Sequence, residues 1–461
     1  MGKEKVDMKY PIGQQTVDAI YDNSGSGNPL IEALPDSLGQ ADFFEAIQEY
    51  PVLPESLNTP TQRKRSLSQL ASLFIPLDYM YPVYDSLVRM METSYHTLTS
   101  KESVIRMNKL FASGGCIAGY GTQAQSGSLL GTPGLGKTTT VKRCLNLIPQ
   151  VVAHQKYLRK PFFCKQVLWL FVECPSDASQ KTMAYNIVRA LDLAVGGNHL
   201  DYLMRSRSSA SSAVATYIKV LCMTYHVGLL VIDEIQNVVS TAQRTNRVKP
   251  LIRFLTELTN DTCTSIYFVG TTLAETVFQS EEYLRRRTRG PRLLPFKPDH
   301  AYRGFLAKVW PYQVTVGEAE LTDKLANVLY DYSGGIPAYI TRIFEEAQAK
   351  ALIQNAIRID DKLIRQAAEY LAIEPPKELG TGTFISDISV SRESVSKKKD
   401  DVQPIIDSDN KEEEPVERQF ANKRGRKIKK RDETDLIEAY KNGTVIDILK
   451  KYHLYEELVI C

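Results

Sequence analysis

The chain has 461 residues, with 57 Lys and Arg against 54 Asp and Glu, a formal net charge of +3. That length gives room for two or three domains at the usual ~100–200 residues each, and the near balance of charge does not by itself call for a polyanionic partner. No stretch offers the ~20 consecutive apolar residues needed to cross a membrane, so no membrane partner is expected. The seven cysteines are scattered without a C-x-x-C pair or a zinc-like His spacing, and read as reduced, mostly buried thiols of a cytoplasmic protein. Met1-Gly-Lys-Glu-Lys-Val-Asp7 lacks the apolar core of a signal peptide and the Ser or Thr of an acylation pattern.

Residues 1–94 read as an N-terminal arm and helical lead-in. The first 60 or so are rich in Gly, Pro, Asn and Ser and predict an extended arm with little core of its own. Asp42-Phe-Phe-Glu-Ala-Ile47 predicts one short helical turn. The basic cluster Thr61-Gln-Arg-Lys-Arg-Ser66 opens a helix ending near Pro76. Val83, Leu87, Val88 and Met91 then repeat at the spacing of an amphipathic helix, packed on the domain that follows.

From 95 to 297 strand and helix patterns alternate. Ser128 to Leu130 reads as a buried strand, followed by Gly131-Thr-Pro-Gly-Leu-Gly-Lys-Thr138, a full G-x-x-x-x-G-K-[ST] phosphate loop, and a helix over 139–148. Glycines let the backbone N–H groups approach phosphate oxygens, and a helix N-terminus favours anions. Gly131, Thr132, Pro133, Gly134, Leu135, Gly136, Lys137, Thr138 and Thr139 are therefore the candidate ATP-binding residues. Lys137 is placed on the β- and γ-phosphates, and the Thr138 hydroxyl on Mg2+.

Apolar runs at 166–172, 228–234 and 264–270, separated by helical patterns at 179–195, 211–226 and 250–259, predict a parallel sheet covered on both faces. The run at 228–234 ends in Asp233-Glu234, about ninety residues after the phosphate loop. Asp233 at a strand end suits Mg2+, and Glu234 suits activation of the water that attacks the γ-phosphate. The next strand ends in Thr271 and Thr272, candidates for sensing that phosphate. Within Tyr283-Leu-Arg-Arg-Arg-Thr-Arg289, Arg286 and Arg287 are placed to reach a neighbouring subunit's nucleotide if the chain forms a ring.

Residues 298–376 are helical by period and predict a small lid. In Ser333-Gly-Gly-Ile-Pro-Ala-Tyr-Ile-Thr-Arg342, a glycine turn precedes Pro337, which starts a helix that would bring Arg342 to the phosphates. Residues 377–461 form a charged tail, expected to be disordered over much of its length. Lys423-Arg-Gly-Arg-Lys427 and Lys429-Lys-Arg431 concentrate positive charge, which reads either as a solvated basic linker or as salt-dependent DNA binding with the Arg-Gly-Arg core in an AT-rich minor groove. The segment 435–450 reads as two short helices around Gly443, a docking peptide for a partner.

Phosphate loop, acidic pair, sensor threonine, arginine cluster and Gly-x-Pro lid together resemble the AAA+ ATPases. Val172-Glu-Cys-Pro-Ser-Asp-Ala-Ser-Gln-Lys181, Ala190-Leu-Asp-Leu-Ala-Val-Gly196, Ile232-Asp-Glu-Ile-Gln-Asn237 and Phe268-Val-Gly-Thr271 are similar to the TnsC-type target-selection ATPases of Tn-seven-class transposons, relatives of TniB and MuB. The likeness spans roughly residues 60–345. It implies a bacterial, cytoplasmic ATP- and Mg2+-dependent protein that forms a ring or filament on duplex DNA. Such a protein links a target-selection protein or an RNA-guided complex to the transposase, and comes apart on hydrolysis. By position, DNA contacts would fall to Lys181, Arg205, Arg207, Arg244, Arg247 and Lys249, and transposase subunits to the tail. Two other classes stay open: a signalling switch that recruits an effector on nucleotide exchange, and an initiator-like ATPase. The sensor-repeat region usual in the first and the complete winged helix usual in the second are not visible in the sequence.

Overall fold

The computed structural model describes residues 9–22, 25–54, 57–113, 122–205, 211–238, 248–275, 278 and 288–374. Its centre is a parallel sheet. The strands β2 (Ser126–Gly131), β5 (Trp169–Glu173), β6 (Leu229–Asp233) and β7 (Ser265–Gly270) lie in the order β5-β6-β7-β2, and the two-residue strands β8 (Thr288–Arg289) and β9 (Arg292–Leu293) pair with β2. All these pairings are parallel, with Asp233 opposite Glu173 and Leu130 opposite Gly270.

The continuous apolar runs follow from burial on both faces. Along β6, Leu230 and Ile232 enter one core while Leu229 and Val231 enter the other. Ile266 and Phe268 of β7 join the first, and Tyr267 and Val269 the second. The first core is closed by α5 (Ser100–Ala112), α7 (Gln180–Val195), α9 (Ser211–Thr224) and α10 (Val248–Thr262). The second is closed by α4 (Met80–Thr97), α6 (Lys137–Asn146) and the N-terminal residues. At ~1.5–3 kcal/mol for each large apolar side chain fully buried, these two layers hold the strand ends in place.

The N-terminal residues are less extended than their composition suggests. Tyr10, Val17, Leu30, Leu34, Phe43 and Ile47 are buried against α4 and α6. Asn28 caps the short helix α1 (Pro29–Glu32) and donates to the Tyr95 carbonyl at 2.9 Å. Residues 40–47 form two helical turns, α2 (Gln40–Ile47), rather than one. In α3 (Pro60–Gln69) Thr59 and Gln62 cap each other reciprocally.

The apolar run at 166–172 divides. Its first part ends β4 (Lys160–Val167), which pairs antiparallel with β3 (Val151–Tyr157); β1 (Thr16–Asp18) adds in parallel to make a separate three-stranded sheet. Only from Trp169 does the chain enter the large sheet. This hairpin has no glycine signal. Its two-residue turn is Leu158-Arg159, with φ of 48° and 65°.

The lid comprises α11 (His300–Val309), α12 (Asp323–Ser333), α13 (Pro337–Ile353) and α14 (Asp361–Tyr370), around a core of its own that includes Phe296, Tyr302, Trp310, Ile340 and Phe344. The N-terminal segment reaches it: Arg63 of α3 donates to the carbonyls of Val314 and Thr315 at 2.8 and 2.5 Å, and Tyr50 stacks on Tyr312. None of the five described cysteines is in a disulfide, and burial pushes the thiols of Cys174 and Cys222 up to about 12.

Candidate active site

The phosphate loop leaves the C-terminal end of β2 and enters α6. Gly134 and Gly136 have φ of 84° and 80°, a region side-chain-bearing residues rarely adopt. Gly131 has a different reason for being glycine. A Cβ there would lie 2.6 Å from the Leu293 carbonyl oxygen of β9. Lys137, the first residue of α6, is buried, and its ammonium donates to the Gly131 and Thr132 carbonyls, each at 2.9 Å. Burial lowers its pKa, against the opposing pull of Glu234 and Asp233.

The acidic pair meets this loop across the sheet. The Thr138 hydroxyl donates to Asp233 Oδ2 at 2.8 Å, and Asp233 Oδ1 accepts the Glu234 N–H at 2.9 Å. Both oxygens of a buried carboxylate are thus held. Glu234 itself has φ of 56°, a left-handed conformation for a residue with a side chain. Its carboxylate is exposed and accepts from the Gln236 amide. Gln236 Oε1 in turn accepts the Thr271 N–H at 3.0 Å.

Of the two sensor candidates, Thr271 is half-buried and its buried hydroxyl has no hydrogen-bond partner among the described residues, while Thr272 is exposed in a short 3-10 turn. The lid rests on the loop. The Ala338 N–H donates to the Gly134 carbonyl at 3.2 Å, and a Cβ on Gly134 would lie 2.8 Å from Ile336 Cγ2. Pro337 does start a helix. Arg342, farther along α13, is exposed.

Tyr79 is a member of the site to which the sequence assigns no role. At the start of α4, its hydroxyl donates to the Leu135 carbonyl at 3.1 Å and is hydrogen-bonded to Thr140 Oγ1 at 3.0 Å. One of three tyrosines within Tyr79-Met-Tyr-Pro-Val-Tyr84, it carries no local signal of that contact. Gln236 and Asn237 lie just after the acidic pair in sequence, yet their contacts depend on the left-handed turn at Glu234.

Lys181 opens α7 with its ammonium 5.6 Å from the Tyr185 ring, and Arg205 ends α8 (His199–Arg205) beside Asp201 at 3.8 Å. No described contact joins them. Arg207, Arg244, Arg247, Arg286, Arg287 and the tail from 377 onward lie outside the described residues, as does the side chain of Lys249.

The donor set fits a nucleotide with Mg2+. One carboxylate and one hydroxyl, both hard oxygen ligands, leave the remaining positions to phosphate oxygens and water, as Mg2+ prefers. The described residues contain no cluster of three or more His, Cys, Asp or Glu able to hold a metal alone. The buried Lys137 ammonium, which here donates to its own loop carbonyls, carries the charge that phosphate oxygens would accept from. No described helix is long and apolar enough to cross a membrane.

Residues 121–278 match the model of the AAA domain. No curated protein matches the chain. Among solved structures, Aeropyrum pernix ORC2 in its ADP form is similar at 14% identity, covering 59% of this chain and 67% of that one, with a TM-score of 0.36. The RuvB Holliday junction branch migration motor of Thermotoga maritima is similar at 16% identity, over 59% and 68%, with a TM-score of 0.32. Drosophila ORC bound to DNA is similar at 13% identity, over 79% and 71%, with a TM-score of 0.39. Overlaps this loose bring no role to the present chain. Over residues 121–278 the domain match, the parallel sheet and the phosphate loop agree on the AAA+ P-loop fold.

Proposed function

We propose that this chain is an Mg2+-dependent ATPase that regulates DNA transposition: it assembles on duplex DNA with ATP, couples a target-selection protein or RNA-guided complex to the transposase, and disassembles on hydrolysis. The observation that carries the ATPase reading is the Thr138–Asp233 bond at 2.8 Å, with Lys137 and Glu234 to either side. The transposition reading is supported by the sequence resemblance at 172–181, 190–196, 232–237 and 268–271.

In this mechanism Lys137 moves from the loop carbonyls to the β- and γ-phosphate oxygens, and the loop N–H groups hold the rest. When bound between Thr138, Asp233 and the phosphates, Mg2+ would supply charge neutralisation. Glu234 takes the proton of a water whose oxygen attacks the γ-phosphorus, while the bond to the bridging β,γ-oxygen breaks. The Thr271 hydroxyl orients toward the departing phosphate. Arg286 or Arg287 of one subunit acts at the neighbour's nucleotide. Lys181, Arg205, Arg207, Arg244, Arg247 and Lys249 supply phosphate contacts to DNA, and the tail beyond 377 engages transposase subunits.

Negative-stain imaging with duplex DNA tests the whole reading. Rings or filaments are expected only when DNA and a slowly hydrolysed ATP analogue are both present, and Glu234→Gln should make them persist with ATP itself. Monomers under every condition would remove the DNA role and favour the nucleotide-exchange switch.

A further inference from the structure

We propose that Gln236 is a positioning residue that ties the Glu234 carboxylate to the end of β7, so that the water-activating group and Thr271 hold one arrangement. The inference rests on the ATPase reading above and names the part of that site which sets the geometry of the base.

Glu234 is exposed, so packing does not choose its rotamer. Among the described residues its carboxylate has one hydrogen-bond partner, the Gln236 side-chain amide. The opposite end of that amide accepts the Thr271 N–H at 3.0 Å. A carboxylate only accepts and a backbone N–H only donates, so the two partners fix which way round the amide lies. One planar group therefore spans the gap between two strand ends, its two bonds polarising one another.

The surroundings are built for this bridge. The left-handed turn at Glu234, φ 56°, sends the chain back so that the Ile235 N–H reaches the Val269 carbonyl at 3.1 Å. That contact carries residue 236 to β7. Gly270 leaves the space: a Cβ there would lie 2.5 Å from Gln236 Oε1 and 2.8 Å from Ile235 Cγ2. On the other side Asn237 donates to the Cys174 carbonyl at 3.0 Å, which pins the turn to the end of β5. A neutral donor also suits the task. It orients the carboxylate while leaving lone pairs free to accept from water, where a cationic partner would compete for them.

The test uses the full chain and two substitutions. Gln236→Leu keeps the side chain's approximate size and removes both bonds. Gln236→Glu keeps the shape and sets a second carboxylate against Glu234. Free to sample several rotamers, Glu234 should lower kcat about tenfold in Gln236→Leu, with KM for ATP within about twofold. Gln236→Glu should lose at least as much. A readout without nucleotide accompanies this. By hydrogen–deuterium exchange, the segment at the end of β7 should gain about one fast-exchanging amide in Gln236→Leu, that of Thr271. In the Glu234→Gln background, Gln236→Leu should slow turnover no further. If Glu234→Gln abolishes turnover while both Gln236 variants keep wild-type kcat, the positioning role is overturned and the base assignment stands. If Glu234→Gln keeps wild-type turnover, the base assignment itself falls, and the exchange measurement alone then decides whether the tie exists. Unchanged exchange at Thr271 would overturn it.

Discussion

The two sheets of this molecule obey different rules. In the large one, every residue of β2, β6 and β7 is buried. The groups with candidate chemistry, Lys137, Thr138, Asp233, Glu234 and Thr271, follow directly from its strand ends. In the small one, β3 and β4 are buried only at the ends away from their turn, and that turn places two side-chain-bearing residues at positive φ. A strand clamped on both faces cannot shift without opening two cores, so its end is a rigid mount. The small sheet joins the N-terminal strand to the body, and its distal end is free to depart from turn preferences.

This contrast separates loss of chemistry from loss of fold. Lys137→Ala should lower kcat/KM for ATP by about 10²–10³-fold. The thermal midpoint should change little, because among the described residues its ammonium donates only to loop carbonyls. Lys160→Ala, at the exposed end of β4, should change neither quantity. Steady-state ATPase assays beside thermal unfolding check both, and a large stability loss from Lys137→Ala would make the loop part of the scaffold. Ile232→Ala in β6 should cost ~2–5 kcal/mol in urea unfolding. Phe163→Ala in β4, where the ring is 64% exposed, should stay within ~0.5 kcal/mol.

The same physics explains what was legible in the sequence. The phosphate loop, the acidic strand end and the strands around 230 and 267 announce themselves, since glycines at fixed offsets and unbroken apolar runs have few other causes. The small sheet does not, because its turn lacks Gly, Asn or Asp and its apolar run merges with β5 at Leu168. The N-terminal residues hide for a related reason. Their apolar side chains are sparse and non-periodic, and become a core only by leaning on α4 and α6. Tyr79 and Gln236 act through contacts across 56 and 35 residues respectively, which no local pattern encodes.

Acid should find the seam between the sheets. His226 precedes β6; burial, then the nearby His154, holds its pKa at about 4 rather than the usual 6.5. His154 of β3 is lowered too, chiefly by burial. Both are neutral in the fold, while the unfolded chain takes up their protons as pH falls below 6.5. Their stabilising contribution is therefore complete above that pH and is lost as pH falls below it, for His226 progressively toward pH 4. For His226 alone this amounts to about 3 kcal/mol. His226→Asn tolerates the local φ of 46° and should flatten the decline, as urea midpoints at pH 7 and pH 5 would show. An unchanged slope would place the acid-sensitive group elsewhere.

The smallest effect probes the turn itself. A two-residue hairpin with both φ values positive favours Asn-Gly, yet the chain has Leu158-Arg159 there, with Leu158 75% exposed. Replacing the pair by Asn-Gly relieves backbone strain while removing few contacts, and should raise stability by ~1 kcal/mol. Turnover should stay within about twofold, because none of the described site residues touches the turn. A gain in stability with activity intact would mean that this sheet tolerates strain because nothing nearby depends on its position. A loss of stability would mean that the exposed leucine and arginine hold contacts worth more than the strain they carry, and the small sheet would then be as tightly specified as the large one.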